Sequence, residues 1–182
     1  MIARCFKCPA KAMAVQVIEP RPPDPIWPRY STHPFPSYRF LPGSNPHPWR
    51  EPRGHSYGLP EPKPLAFPPD EWQRSMDYLY GIDLYNYAYW WECHEVFEGL
   101  WHAVGRDTEE GNFFQSLIQL AAANLKRFMG NERAAQNLLR SSARRLSGLP
   151  DFYMGVNVTH LLDRFHRGFT TNQARHFLLK LE

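Results

Sequence analysis

Cysteine is scarce in this chain of 182 residues, which contains only Cys5, Cys8 and Cys93. An odd and sparse set offers no disulfide framework, so the small disulfide-rich class is excluded and a reducing compartment is favoured. No apolar run approaches the ~20 residues of a membrane-spanning helix. The basic N-terminus lacks the continuous apolar segment of a secretory signal. We therefore predict a cytoplasmic protein without a membrane partner.

Proline is almost absent from the second part of the chain. Of 18 prolines, 17 lie in residues 1–70, and Pro150 is the other. Because proline fixes φ, lacks an amide donor and disfavours helix at the preceding residue, residues 20–69 are predicted to be extended. The chain thus divides into an N-terminal extension, 1–69, and a helical domain, 70–182. Met13 is an alternative start of translation.

The extension is unusual for a free tail because it is rich in aromatic residues, which disordered segments lack. We predict an ordered strap over residues 27–67 that packs on the helical domain through Trp27, Phe35, Phe40 and Trp49. The other open interpretation is an arm that binds an unknown protein partner.

Apolar residues at helical spacing fill residues 70–182. Asp70 with Gln73, and Asp107 with Glu110, have the spacing of capping boxes. The predicted helices begin after Asp70, span about 89–104, 111–129 and 132–147, and resume after Asn157, with a further short segment near 174–181. No strand alternation of useful length is present. Short connections favour antiparallel neighbours, so we predict an all-α, compact antiparallel bundle of about five helices.

Charge of one sign does not dominate the whole chain, whose formal net charge is +3, but the two signs are segregated along it. Residues 71–110 hold two basic and nine acidic residues, a net charge of −7, whereas residues 111–182 hold ten basic and four acidic ones, a net charge of +6. Opposed surfaces of this kind are either ordinary solvated faces or the complementary faces of a homo-oligomer. Nucleic acid is not expected as a partner, because basic and aromatic residues are not interleaved.

The residue types that carry chemistry are concentrated in residues 90–101. On a helix, His94 and Glu98 stand at i, i+4 and can touch, with Trp101 one turn further and Glu95 closer to solvent. Two interpretations are open. The pair either forms a buried polar link between helices or binds a metal ion or moves protons. A zinc site needs three or four protein groups, and we expect one helix to supply two at most.

Two glutamines on the next predicted helix, Gln115 and Gln119, also stand at i, i+4. If they face the preceding helix, their amides can hydrogen-bond to Glu98 or His94; otherwise they lie on a solvated edge. Cys5-x-x-Cys8 is half of a zinc ribbon without its second half.

Residues Tyr89–Trp101 resemble the signature of the bacterial and archaeal family known as domain of unknown function 309. That signature contains an aromatic residue, Glu, a small residue, His-Glu, and then Glu and Trp at fixed spacing. The run 114–122 is similar to a second block of the family, and 155–158 to a third, so the resemblance covers roughly residues 75–165.

The resemblance implies a small helical bundle without an established activity. By position it carries over Glu92, His94, Glu95, Glu98, Trp101, Gln115 and Gln119. Ser116 stands in place of a usual glycine, and Lys126 where many members have histidine, which weakens a metal site that spans two helices.

These observations predict a non-enzymatic, self-associating interaction or structural module in which His94 and Glu98 link helices, with no resident cofactor. The alternative is a metal-dependent or acid/base enzyme. Its catalytic candidates are His94, Glu95 and Glu98, its metal ligands would be His94 and Glu98, and its pocket would contain Glu92, Trp101, Gln115 and Gln119.

Overall fold

The computed structural model describes residues 19–171 and 177–182. Within these ranges the chain forms a 3₁₀ helix, Pro69–Arg74, a two-stranded hairpin and five α-helices. The helices are α1, Met76–Asn86; α2, Trp90–Val104; α3, Glu109–Phe128; α4, Glu132–Leu146; and α5, Val158–Thr171. Neighbours in sequence pack against each other from α1 to α5, and three or four residues form each connection from α1 to α4. The predicted all-α class is confirmed.

Polar side chains fix where the helices begin. Ser75, Thr108, Asn131 and Asn157 each accept a hydrogen bond from the backbone N–H three residues on, as N-cap residues do. The cap predicted at Asn157 is therefore confirmed.

The caps predicted at Asp70 and Asp107 are wrong. Asp70 lies inside the 3₁₀ helix, so that α1 starts only after Ser75. Thr108, one residue after Asp107, caps α3 instead: its hydroxyl accepts from Gly111 N at 2.9 Å.

A short hairpin connects α4 to α5. Strands β1, Phe152–Tyr153, and β2, Val156–Asn157, are antiparallel and have only two residues each, too few for alternation to be visible in the sequence. Leu181 pairs with Val156, so residues 177–182 are extended, and the helix predicted near 174–181 is wrong for this part; Ala174 itself lies outside the described residues.

Aromatic rings build the centre of the domain. Tyr78 of α1, Phe97 of α2, and Phe113 and Phe114 of α3 are fully buried, and the Tyr78 ring contacts the other three with centroids 6.1–6.4 Å apart. Phe67 of the strap adds its ring to Tyr78 and Phe114. No described helix is long and apolar enough to cross a membrane.

The strap, residues 27–67, runs in an extended conformation with turns across α1 and α2. The Phe35 ring lies against the rings of Tyr87 and Tyr89, with centroids 4.8 and 4.9 Å away. Phe40 is buried and meets Trp91 edge-on at 5.0 Å. Tyrosine hydroxyls of the helical domain donate to strap carbonyls, for example Tyr80 to Pro34 at 3.0 Å. Cys5, Cys8 and Met13 lie outside the described residues.

Candidate functional site

A cluster of one histidine and two glutamates lies on the surface of α2. His94, Glu95 and Glu98 each offer one ligand atom, and these atoms all lie within 4.8 Å of one another. His94 Nδ1 is 3.3 Å from Glu95 Oε1, and the two side chains are 31% and 36% exposed. Positions i, i+1 and i+4 converge here because long side chains at i+1 can lean back along the helix. One helix thus brings together three candidate ligand groups, one more than the two expected from the sequence.

The ion pair that the structure describes for the cluster lies within α2. His94 Nδ1 is inaccessible to water yet has no hydrogen-bond partner. In residues 19–171 and 177–182, neither His94 nor Glu98 hydrogen-bonds to another helix. Both side chains are only partly buried. The cluster is thus a partly exposed group of potential ligands.

Glu92, which the motif places with these residues, has a different environment. It is 5% exposed. Its Oε1 accepts from the backbone N–H of Phe40 at 2.7 Å and lies 3.2 Å from His55 Nε2. Both partners belong to the strap, so Glu92 anchors the strap to α2 instead of facing the His94 cluster.

Trp101 lies one turn beyond Glu98 and is half-buried. Its indole N–H has no acceptor in the described part of the chain, and the Arg106 guanidinium lies over its ring, 4.9 Å from the centroid. The stacked cation is the interaction expected of arginine on an aromatic face. Trp101 therefore borders the candidate site with one unused hydrogen-bond donor.

The two glutamines lie on the half-buried edge of α3. Gln119 Oε1 is inaccessible and has no donor, and within the described ranges neither Gln115 nor Gln119 hydrogen-bonds to His94 or Glu98. Of the two alternatives left open by the sequence, the amide bridge to α2 is not among the hydrogen bonds of the described residues. Lys126, further along the same line, is exposed. Three inaccessible polar atoms on these two helices make no hydrogen bond within the described residues: His94 Nδ1, Trp101 Nε1 and Gln119 Oε1.

Cys93 lies between two motif residues but belongs to the core. Its thiol is fully buried, and this burial, with the nearby Glu92 carboxylate as a smaller cause, raises its pKa well above the usual value. A thiol held in its protonated form is neither a nucleophile nor a metal ligand.

Sequence reasoning missed Asp83 of α1, which is fully buried. Its carboxylate accepts from Tyr30 N and Ser31 N, from the Ser31 hydroxyl, each at 2.8 Å, and from Arg29 Nε at 3.3 Å. All donors belong to the strap. The one available signal was an aspartate amid the apolar residues of α1, which predicts a buried carboxylate in need of partners.

A comparison with known protein families finds a match over part of the chain. Residues 78–138 match the model of the family described as "Domain of unknown function (DUF309)". The resemblance to domain of unknown function 309 is confirmed for this stretch, which runs from α1 into α4 and includes the His94 cluster. It is shorter than the residues 75–165 expected, and the late block at 155–158 lies outside it. No curated protein matches the chain.

Proposed function

We propose that this domain binds a divalent metal ion at His94, Glu95 and Glu98. The observation that supports the proposal is the convergence of their three ligand atoms within 4.8 Å of one another.

The chemistry of the three groups suits such an ion. One imidazole and two carboxylates are ligands that zinc and other first-row metals accept, and two carboxylate charges neutralise a divalent cation. Ligand atoms around a tetrahedral ion with ~2.1 Å bonds lie roughly 3.4 Å apart. Partly exposed glutamates can close from 4.8 Å to that spacing by side-chain rotation.

A metal held by three protein groups keeps an open coordination position. Such a position can hold water and lower its pKa, which is the basis of metal-assisted hydrolysis. The alternative predicted from the sequence, an acid/base enzyme, uses His94 and Glu98 without a metal, and metal analysis distinguishes the two.

The test is elemental analysis of the purified full chain after loading with Zn²⁺ or Mn²⁺ and removal of free ion. We expect about one bound metal per chain, lost in His94→Ala and in Glu98→Gln. His102→Ala is the matched control, because His102 lies on the same helix and is exposed. Metal that persists in His94→Ala, or that never reaches stoichiometry in the unmodified chain, contradicts the proposal.

Self-association is the second candidate function. It is supported by exposed charges of opposite sign: Asp107 and Glu109 at the start of α3, and Arg133 and Arg144 on α4. Association through such faces weakens as salt rises, because exposed charges are screened. Sedimentation of the full chain at low and high salt tests it, and a monomer at low salt contradicts it.

A further inference from the structure

The strap contacts α2 at two positions, one before and one after the His94 cluster along the helix. His55 lies 3.2 Å from Glu92 near the start of the helix. Further along, the Pro64 ring packs on Gly99 so closely that a Cβ on that glycine would lie 2.9 Å from Pro64 Cδ. Glu92 and Gly99 are seven residues apart, so the two attachment points are only about 10 Å apart along the helix.

The chain between these attachment points is much longer than that distance requires. Nine residues lead from His55 to Pro64, and an extended proline-rich chain rises ~3.1 Å per residue, or about 28 Å in all. Residues 57–63, here called the hinge, are all exposed, and Pro60 and Pro62 stiffen them towards the extended form.

Two consecutive turns take up the excess chain, and in the first of them Tyr57 N donates to Gly54 O at 3.1 Å. Leu59 N donates to Ser56 O at 3.1 Å, and Gly58 between them has a φ of +74°, which residues other than glycine rarely adopt. The second turn therefore bends the hinge at Gly58, and the prolines after it favour the straight form.

We propose that two copies of this chain exchange their straps by straightening the hinge. The occupant of the strap-binding face of α1 and α2 is then the strap of a second copy. Each contact that holds the strap in the single chain, from Asp83 and Glu92 to the ring of Phe35, forms again between the two chains, so exchange needs no new interface. Exchange of an identical element is a low-cost route to dimers for this reason.

The structure favours a second copy over an unrelated partner because the docking site fits this strap in detail. Asp83 is fully buried and depends on an arginine and a serine at the strap positions 29 and 31. Phe35 and Phe40 fill spaces against Tyr89 and Trp91. A proline-rich segment of another sequence would leave these groups without their partners.

Gly58 provides a test that acts on the backbone alone. A Cβ built on Gly58 meets nothing within 4 Å, so Gly58→Val disfavours the bent hinge without a clash. The left-handed region costs a side-chain-bearing residue roughly tenfold in population. Because the exchanged dimer relieves two hinges, its dissociation constant should fall about 100-fold relative to the unmodified chain.

Gly43→Val is the matched control. Gly43 also has a positive φ, +79°, and open space around it, but it lies inside the docked strap and not in the hinge. It weakens docking equally in the closed and exchanged forms, so the ratio of dimer to monomer should not rise. Light scattering on the full-length variants over a range of concentrations measures this ratio.

Two further measurements separate strap exchange from other outcomes. In high salt the Gly58→Val dimer should persist, since it does not depend on exposed charges. Trypsin cleavage after Arg39 should remain slow in the dimer. A Gly58→Val chain that stays monomeric, whether its strap is protected or cleaved, or a Gly43→Val chain that dimerises as strongly, would overturn the proposal.

Discussion

Replacement of Asp83 by asparagine tests whether the strap is held by one buried carboxylate. The change keeps the volume of the side chain and removes its charge and one of its two acceptor oxygens. The amide oxygen can take the place of Oδ2, which accepts from Ser31 N and Oγ and from Arg29 Nε. The amide NH₂ then replaces Oδ1 and faces Tyr30 N–H, which donates to it at 2.8 Å in the unmodified chain.

The magnitude follows from these contacts. One buried N–H is left facing another donor, which costs about 1–3 kcal/mol. The loss of charge also weakens the remaining hydrogen bonds, which are stronger to an ionised acceptor. We expect Asp83→Asn to lower the free energy of unfolding by roughly 2–4 kcal/mol, less if the strap detaches and the freed groups reach water.

Two assays distinguish these outcomes. Urea unfolding measures the free energy, and brief trypsin digestion measures cleavage after Arg29 and Arg39, which should accelerate. Asp77→Asn is the control, because Asp77 lies on the same helix and is only partly buried. If Asp83→Asn changes stability by less than ~1 kcal/mol and leaves both arginines as protected as before, the carboxylate does not hold the strap.

Two more predictions concern titration and coupling. Burial raises the pKa of both Tyr80 and Tyr153 to about 12, so the folded state holds these protons above pH 10, where the unfolded chain loses them. Stability should therefore fall as pH rises from 10 to 12, less steeply in Tyr80→Phe and Tyr153→Phe but not in Tyr57→Phe, as thermal unfolding can check. A double-mutant cycle on His94 and Glu98 should give a coupling free energy below ~0.5 kcal/mol, since neither group is fully buried. A larger value would support the interpretation that the pair links helices.

The helices could be predicted from the sequence because their signals are local. Apolar spacing and a terminating glycine placed α2 and α4 within a residue or two of their observed ends. The caps of α1 and α3 were misplaced because aspartate, serine and threonine compete for the same role within a few residues, and only the path of the chain decides between them. The hairpin has two residues per strand, too few for a periodic signal.

The candidate site was predictable in part. The i, i+4 spacing of His94 and Glu98 is a property of any helix, and the structure brings them together with Glu95. The role of Asp83 depends on donors 52–54 residues away, which no local pattern encodes. Which residues meet across such a distance is set by packing of the whole chain, and this also applies to the unformed bridge from Gln115 and Gln119.

The separation of Glu92 from the other motif residues follows from helix geometry. At 100° per residue, Glu92 and Gly99 fall within about 20° of one another on α2, and both contact the strap. His94 and Glu98 lie about 160° and 120° away from Glu92 around the axis, on the side not covered by these contacts. The spacing of a motif indicates that its residues lie on one helix. It does not indicate which of them contact a segment outside the family match. A family signature that reads as one site can therefore serve two purposes in this chain, one carboxylate holding the strap and two facing an open surface.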